Sequence, residues 1–525
     1  MLHSTRFNNS VQTSRSSRSP SSRPPRTSAM GSIIPNSKRY SKVSDSLPTF
    51  GASAQHAFTT EPAPADPYVY QVGFGNRFSS EAIPGTIPRS CNAPQKVKYN
   101  LYSEQLNGST FVAPRADIQH AWFYRIFPSV AHGDLRKAPL NTDIESRFSS
   151  GNENVDFVPG ALCWRAFPIP KVTGPTVDFV QGLKTIVGYG DPTTKDGLAV
   201  HMYVANASMK NRAFCSNDGD MLFVPQVGRL DIQTEFGRMM VRPGELAVVQ
   251  AGIRFKVDLP DGPVRGYIQE IFGSRYELPE LGPLGSNGMA LPRDFEFPVA
   301  SFDMDKSEWE IVYKLAGKLW SCKQNHTPFD VVAWDGNYVP FKYAAEKFVN
   351  AAFVDKDQAD PSLYTVLTAK SKTPGVPATD VMFFTPKWST ATNAYRPPYY
   401  HRNMATEVVG IVYGDYKGTS RNLEAGGLSF QSSYTPHGET HEAFVQATTS
   451  ELTTQRVGEG FLGFMFQIST HCAVTQYALE RSGVLEVPPA SLWDSMQGHF
   501  FDHVDEVNED LRRRGRPPLG SGPSH

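Results

Sequence analysis

The chain is defined first by what it has little of. No run of about 18 consecutive apolar residues occurs, the length a bilayer-crossing helix needs, so no membrane span is expected. Neither sign of charge dominates: the formal net charge is −1. That removes the electrostatic argument for a nucleic-acid or membrane-surface partner. Cysteine is sparse, and Cys91, Cys163, Cys215, Cys322 and Cys472 form no C-x-x-C pair. An odd, scattered set fits reduced thiols better than a disulfide framework and points to the cytoplasm. No repeat of fixed period is apparent, which sets aside solenoids and propellers.

What is present is turn-rich. There are 42 glycines and 41 prolines in 525 residues, a usage that favours short strands and turns over long helices. The length suggests two or three domains. Residues 1–65 stand apart: rich in Ser, Arg and Pro (TSRSSRSPSSRPPRTS), with no acidic residue before Asp45. They offer too little apolar surface to bury and read as a disordered basic extension. An Arg- and Ser-rich, acid-poor start also resembles a mitochondrial transit peptide, which makes the mitochondrion the alternative location. Met30 as the true start would remove most of that basic run.

From about Pro67 the sequence looks globular and mainly β. Residues 218–273 alternate short apolar runs with turn signals every 8–12 residues, as in a sandwich or barrel of the cupin type. Leu230, Ile232 and Thr234 alternate with Asp231 and Gln233, as a half-buried strand requires. Arg242-Pro243-Gly244-Glu245 is a turn signal between strands. The stretch SEWEIVYKLAGKLWSCKQ reads as helix-like. The expected organisation is an N-terminal β-sandwich scaffold over 66–325, a C-terminal cupin-like jelly roll over 326–485 and a mobile tail over 486–525. Strands are expected at Thr365–Ala369, Val381–Phe384, Glu407–Tyr413 and Gly460–Ser469.

Chemistry concentrates in RPPYYHRNMATE, residues 396–407. His401 and Glu407 would lie roughly 20 Å apart on a fully extended chain. To share one ion, the chain must turn or bulge between them. The later stretch SYTPHGETHEAF adds His437 and His441. Two histidines and a carboxylate on a β scaffold are the donor set of the facial triad of non-haem Fe(II) oxygenases. The spacing alone is loose, and a solvated His–Glu pair is the bland alternative. Residue chemistry does not choose between His437 and His441; P-x-G-x-x-H at 436–441 resembles a cupin ligand motif and favours His441.

Longer segments carry a resemblance. YQVGFGNRFSSEA (70–82), LYSEQLNGSTFVAPR (101–115), VDFVQGLKTIVGYGDP (177–192), TEFGRMMVRPGE (234–245), ELPELGPLGSNGMALPRDF (277–295), VVAWDGNYVPFKY (331–343) and RPPYYHRNMATE occur in the order seen in homogentisate 1,2-dioxygenases, and the chain resembles that family from about residue 68 to 480. The resemblance implies Fe(2+) held by His401, Glu407 and His437. It leaves His441 outside the set and puts a substrate-contacting tyrosine at Tyr416. It further implies a small aromatic substrate, O2 as co-substrate, ring opening to maleylacetoacetate in tyrosine breakdown, and a trimeric or hexameric assembly.

Two positions depart from the family pattern. Where it has a proton-accepting histidine in V-V-A-W-H-G-N-Y this chain has Asp335, and where it has a second histidine before the last ligand this chain has Gln431. Asp is the weaker base by more than about two pKa units, and Gln cannot shuttle a proton. Three readings follow. The first is a homogentisate dioxygenase with altered surroundings. The second is an iron dioxygenase of the same fold acting on another dihydroxy-aromatic in a specialised biosynthetic pathway. The third is a non-catalytic binding or scaffold protein.

Overall fold

The computed structural model describes residues 66–280, 290–349, 361–389, 399–415 and 423–520. The basic extension 1–65 lies outside the described residues. The chain is mostly strand, arranged in sheets of ten, eight, seven, four and two strands. The ten-stranded sheet is the shared middle layer. Its strand Val264–Ile271 pairs with Asp220–Val227 on one side and Asp196–Ala205 on the other, antiparallel in both cases.

Alternation along Val264–Ile271 divides its side chains between two neighbours. Ile268 shares a face with its register partners Phe223 and His201. On that face Tyr203 and Phe223 meet Phe179 and, from the seven-stranded sheet, Phe214 and Phe255, with ring centroids 5.6 to 6.5 Å apart. Tyr267 and Gln269 point the other way. The Tyr267 hydroxyl donates to the Ile411 carbonyl at 2.9 Å, its ring lies 4.7 Å from Phe464, and Gln269 Nε2 donates to Thr379 Oγ1 at 2.9 Å. A strand covered on both faces needs a nearly unbroken apolar run, which is why Met221, Leu222, Phe223 and Val224 follow one another, all buried.

Local turn chemistry holds where it was legible. Glu245 N donates to Arg242 O at 3.0 Å, and Gly244 takes φ +96°, the left-handed position of a type II turn. The helix-like patch is a correction. Trp309–Leu315 and Lys318–Gln324 form an antiparallel hairpin in register Leu315↔Lys318. Ala316 (φ +49°) and Gly317 (φ +71°) form its two-residue turn, the conformation that matches strand twist. Trp309 and Ile311 keep the strand spacing of two while Ile311, Leu315 and Leu319 keep a helical spacing of four, and the β-branched pair Ile311-Val312 and the turn decide for strand.

The two halves exchange strands. Ala161–Trp164, early in the chain, sits in the eight-stranded sheet between Leu428–Gln431 and Leu485–Glu486. Ala473–Thr475, late in the chain, pairs with Leu183–Asp191 of the ten-stranded sheet. Val331–Gly336 joins the four-stranded sheet, and Phe341–Ala344 the ten-stranded one.

Candidate metal centre

Strand Thr406–Tyr413 lies between Leu428–Gln431 and Leu462–Ile468. Val408, with partners Phe430 and Phe466, faces the middle layer and is fully buried. One residue earlier, Glu407 therefore faces the opposite side, flanked by its register partners Gln431 and Gln467. Further along that face lie Val409, Met465 and Met382. Glu407 is nonetheless 9% exposed, so its carboxylate works in a largely desolvated setting.

The sequence required a turn between His401 and Glu407, and one is present. His401 pairs with His437 through a short antiparallel bridge: His401 N donates to His437 O at 2.9 Å and His437 N to His401 O at 3.0 Å. The chain then bends at Asn403, whose Oδ1 accepts from Ala405 N at 2.9 Å, and enters the strand that bears Glu407. The side-chain donor atoms of His401, Glu407 and His437 all lie within 4.8 Å of one another. His437 Nε2 is 3.3 Å from Glu407 Oε2, and His401 Nε2 is 3.7 Å from Glu407 Oε1.

Both imidazoles are oriented by their second nitrogen. His401 Nδ1 bonds to Tyr399 O at 2.7 Å, and His437 Nδ1 to Thr435 O at 2.8 Å. A carbonyl only accepts, so each Nδ1 carries the proton; each Nε2 faces the Glu407 carboxylate, donating to it when the ring is protonated and presenting a lone pair inward when the ring is neutral. This is the arrangement of a metal-binding histidine. Burial works to raise the Glu407 pKa, but hydrogen bonds from His401, His437 and Asn403 and the His437 charge outweigh it and hold the carboxyl well below its usual range. The hydrogen bond to Glu407 raises His401. A charged carboxylate facing two convergent nitrogen donors can hold a cation, and the donor set suits Fe(II), Zn(II) or another imidazole-tolerant divalent ion.

The other sequence-predicted residues fall as follows. His441 begins the helix His441–Thr449 and bonds to Ser495 Oγ at 2.7 Å, outside the triad. Gln431 is beside Glu407, its buried Oε1 without a hydrogen-bond partner among the described residues. Tyr416 lies outside the described residues. Within this chain Asp335 lies in a different sheet from Glu407. It sits in the four-stranded sheet between Ser79 and Trp122, and its carboxylate accepts from Arg77 Nε at 2.9 Å and from Ser79 Oγ. A motif position carries no information about which sheet a strand will join. Sequence reasoning missed Asn403 and Gln467, although a short amide two residues after a candidate ligand is itself a turn signal.

Comparison with known proteins shows the family. Residues 69–345 match the family described as "Homogentisate 1,2-dioxygenase N-terminal", and residues 346–500 match "Homogentisate 1,2-dioxygenase C-terminal". The homogentisate 1,2-dioxygenase of Homo sapiens is 43% identical over 435 residues, covering 82% of this chain and 96% of that protein. That of Drosophila melanogaster is 45% identical over 436 residues, covering 82% and 98%. The Arabidopsis thaliana protein of the same name is 45% identical over 440 residues, covering 82% and 93%. With both halves matched in order and the donor triad assembled, this chain belongs to the homogentisate 1,2-dioxygenase family.

Proposed function

We propose that the protein cleaves the ring of homogentisate with O2 to give maleylacetoacetate, using Fe(II) held by His401, Glu407 and His437. The observation that carries the reading is the convergence of these three donors, with both Nδ1 atoms tied to backbone carbonyls, in a chain of this family. Both oxygen atoms enter the product, so no external reductant is needed. Bound there, Fe(II) supplies the Lewis acidity and one-electron chemistry that let dioxygen react with an electron-rich ring.

The chain's own residues do the rest. The two imidazoles and the carboxylate would hold the ion, and a three-donor set of this kind would leave positions for substrate. Gln431, directly across from Glu407, offers an amide that donates and accepts without titrating. Met382, Met465 and Val409 continue that face as an apolar cluster packed with Tyr364 and Phe384. The Asp335 carboxylate, the departure that motivates a different substrate, is engaged by Arg77 and Ser79 within this chain. The family resemblance further supports a homo-oligomer, a trimer or hexamer.

The test is oxygen uptake by the purified, Fe(II)-loaded full-length protein given homogentisate. Rapid uptake matched by ring-opened product is expected. Stoichiometric iron with no uptake would overturn the substrate, and failure to retain Fe(II) would leave a non-catalytic protein.

A further inference from the structure

Three polar atoms of Asn403 are committed, and each commitment reaches a different part of the triad. Its side-chain Nδ2 donates to Glu407 Oε1 at 2.8 Å. Its Oδ1 accepts from Ala405 N at 2.9 Å, closing the turn that brings Glu407 back toward His401. Its backbone carbonyl accepts from Tyr434 N at 2.7 Å, three residues before His437. Tyr434 makes that bond with φ +61°, a left-handed conformation that L-residues adopt rarely. The His401–His437 bridge lies just beyond. One residue thus ties the turn, the carboxylate and the arm of the second histidine into one unit.

On the metal reading above, we propose that Asn403 is a positioning residue that sets the orientation of the Glu407 carboxylate toward the bound ion. Without its amide, Glu407 keeps only the two imidazoles as partners among the described residues, and those must bind the ion themselves. The amide holds Oε1 from outside the donor set and presents the carboxylate in one pose. The turn and the carboxylate contact use different atoms of Asn403, so they separate experimentally. Serine can still accept from Ala405 N but is too short to reach Glu407. Aspartate keeps the acceptor and the size, loses the donor, and sets a second negative charge beside the first.

The experiment is titration of full-length apo-protein with Co(II), a spectroscopic probe of the site, in wild type, Asn403→Ser, Asn403→Asp and His437→Ala, with thermal unfolding as the fold control. Asn403→Ser is expected to melt near wild type, to bind Co(II) ~10–100-fold more weakly, as loss of an outer hydrogen bond does, and to show displaced visible ligand-field bands. Asn403→Asp is expected to displace the bands as well, whatever its affinity. Bands and affinity that superimpose on wild type in both variants would reduce Asn403 to a turn former. If wild type takes up no Co(II), or His437→Ala binds it equally well, the metal reading itself fails, and the two failures are told apart.

Discussion

The N-terminal half contains a cluster made of almost the same residue types as the triad, and it does the opposite job. Between the ten- and seven-stranded sheets, Lys314 Nζ lies 2.6 Å from Asp218 Oδ2, 2.7 Å from Glu270 Oε2 and 2.7 Å from Ser146 Oγ. His201 Nε2 bonds to the same Glu270 oxygen at 3.2 Å, and its Nδ1 to Thr185 Oγ1 at 2.9 Å. Here the cation is built in. Both ring nitrogens of His201 are consumed within the protein, and its burial lowers its pKa. Burial opposes ionisation of Glu270, yet Lys314 and His201 hold it at about 2. At the triad the partners of Glu407 among the described residues are Asn403 and two imidazoles, with each Nε2 turned inward. Histidine and carboxylate therefore do not by themselves make a metal site. What matters is whether the fold supplies its own positive charge and where the second ring nitrogen points.

The largest expected effect sharpens that contrast. His437→Ala should abolish iron retention and oxygen uptake together, while stability changes by under about 1 kcal/mol, because a half-buried ligand anchors little of the core. Iron analysis, oxygen uptake and urea unfolding on one preparation check it; iron retained at the wild-type level breaks the comparison. Lys314→Met should do the reverse. It strands two buried carboxylates and should cost about 3–5 kcal/mol, with iron per folded chain unchanged. The sign with pH is fixed by Glu270. Its folded pKa is depressed, so in wild type its stabilisation is present above the unfolded value of about 4.3 and lost as pH falls toward 2. The gap between wild type and variant in urea midpoint should thus narrow on acidification below about pH 4.5. A gap that widens would mean Lys314 is not the counter-charge.

The smallest effect is at the turn that closes this cluster. Ala316 N and Gly317 N donate to the two oxygens of Asp218 at 2.6 and 2.9 Å, which fixes Ala316 in a left-handed conformation. Ala316→Gly should relieve that strain and raise stability by about 0.5–1 kcal/mol, read as a shift in the urea midpoint. A loss of stability would show that the turn is not strained.

These cases also show what a sequence can carry. Local chemistry was readable at the Arg242–Glu245 turn, in the strand periodicity around Leu230 and in the donors His401 and Glu407, whereas it favoured His441 as the third donor and only the family resemblance chose His437. The hairpin Trp309–Gln324 was not, because its apolar positions satisfy a helical period and the strand spacing at once. The strand neighbours of Asp335 were unreadable for a different reason. Its neighbours Ser79 and Trp122 lie more than two hundred residues away in sequence, and no local pattern encodes which strands will pair. Asn403 escaped because its role is defined by distances to Glu407 and Tyr434 that exist only after folding.

The exchanged strands have a consequence for how the chain is made. Synthesis runs from the amino end, so the ten-stranded sheet is largely complete in sequence long before Ala473–Thr475 leaves the ribosome to pair with Leu183–Asp191. Until then that edge offers unpaired backbone groups to any neighbouring chain. Conversely, Ala161–Trp164 is made early and must wait for Leu428–Gln431 and Leu485–Glu486. The sheet that bears Glu407 is thus finished only by the last-made strands, and chains truncated before residue 485 should be sticky as well as inactive.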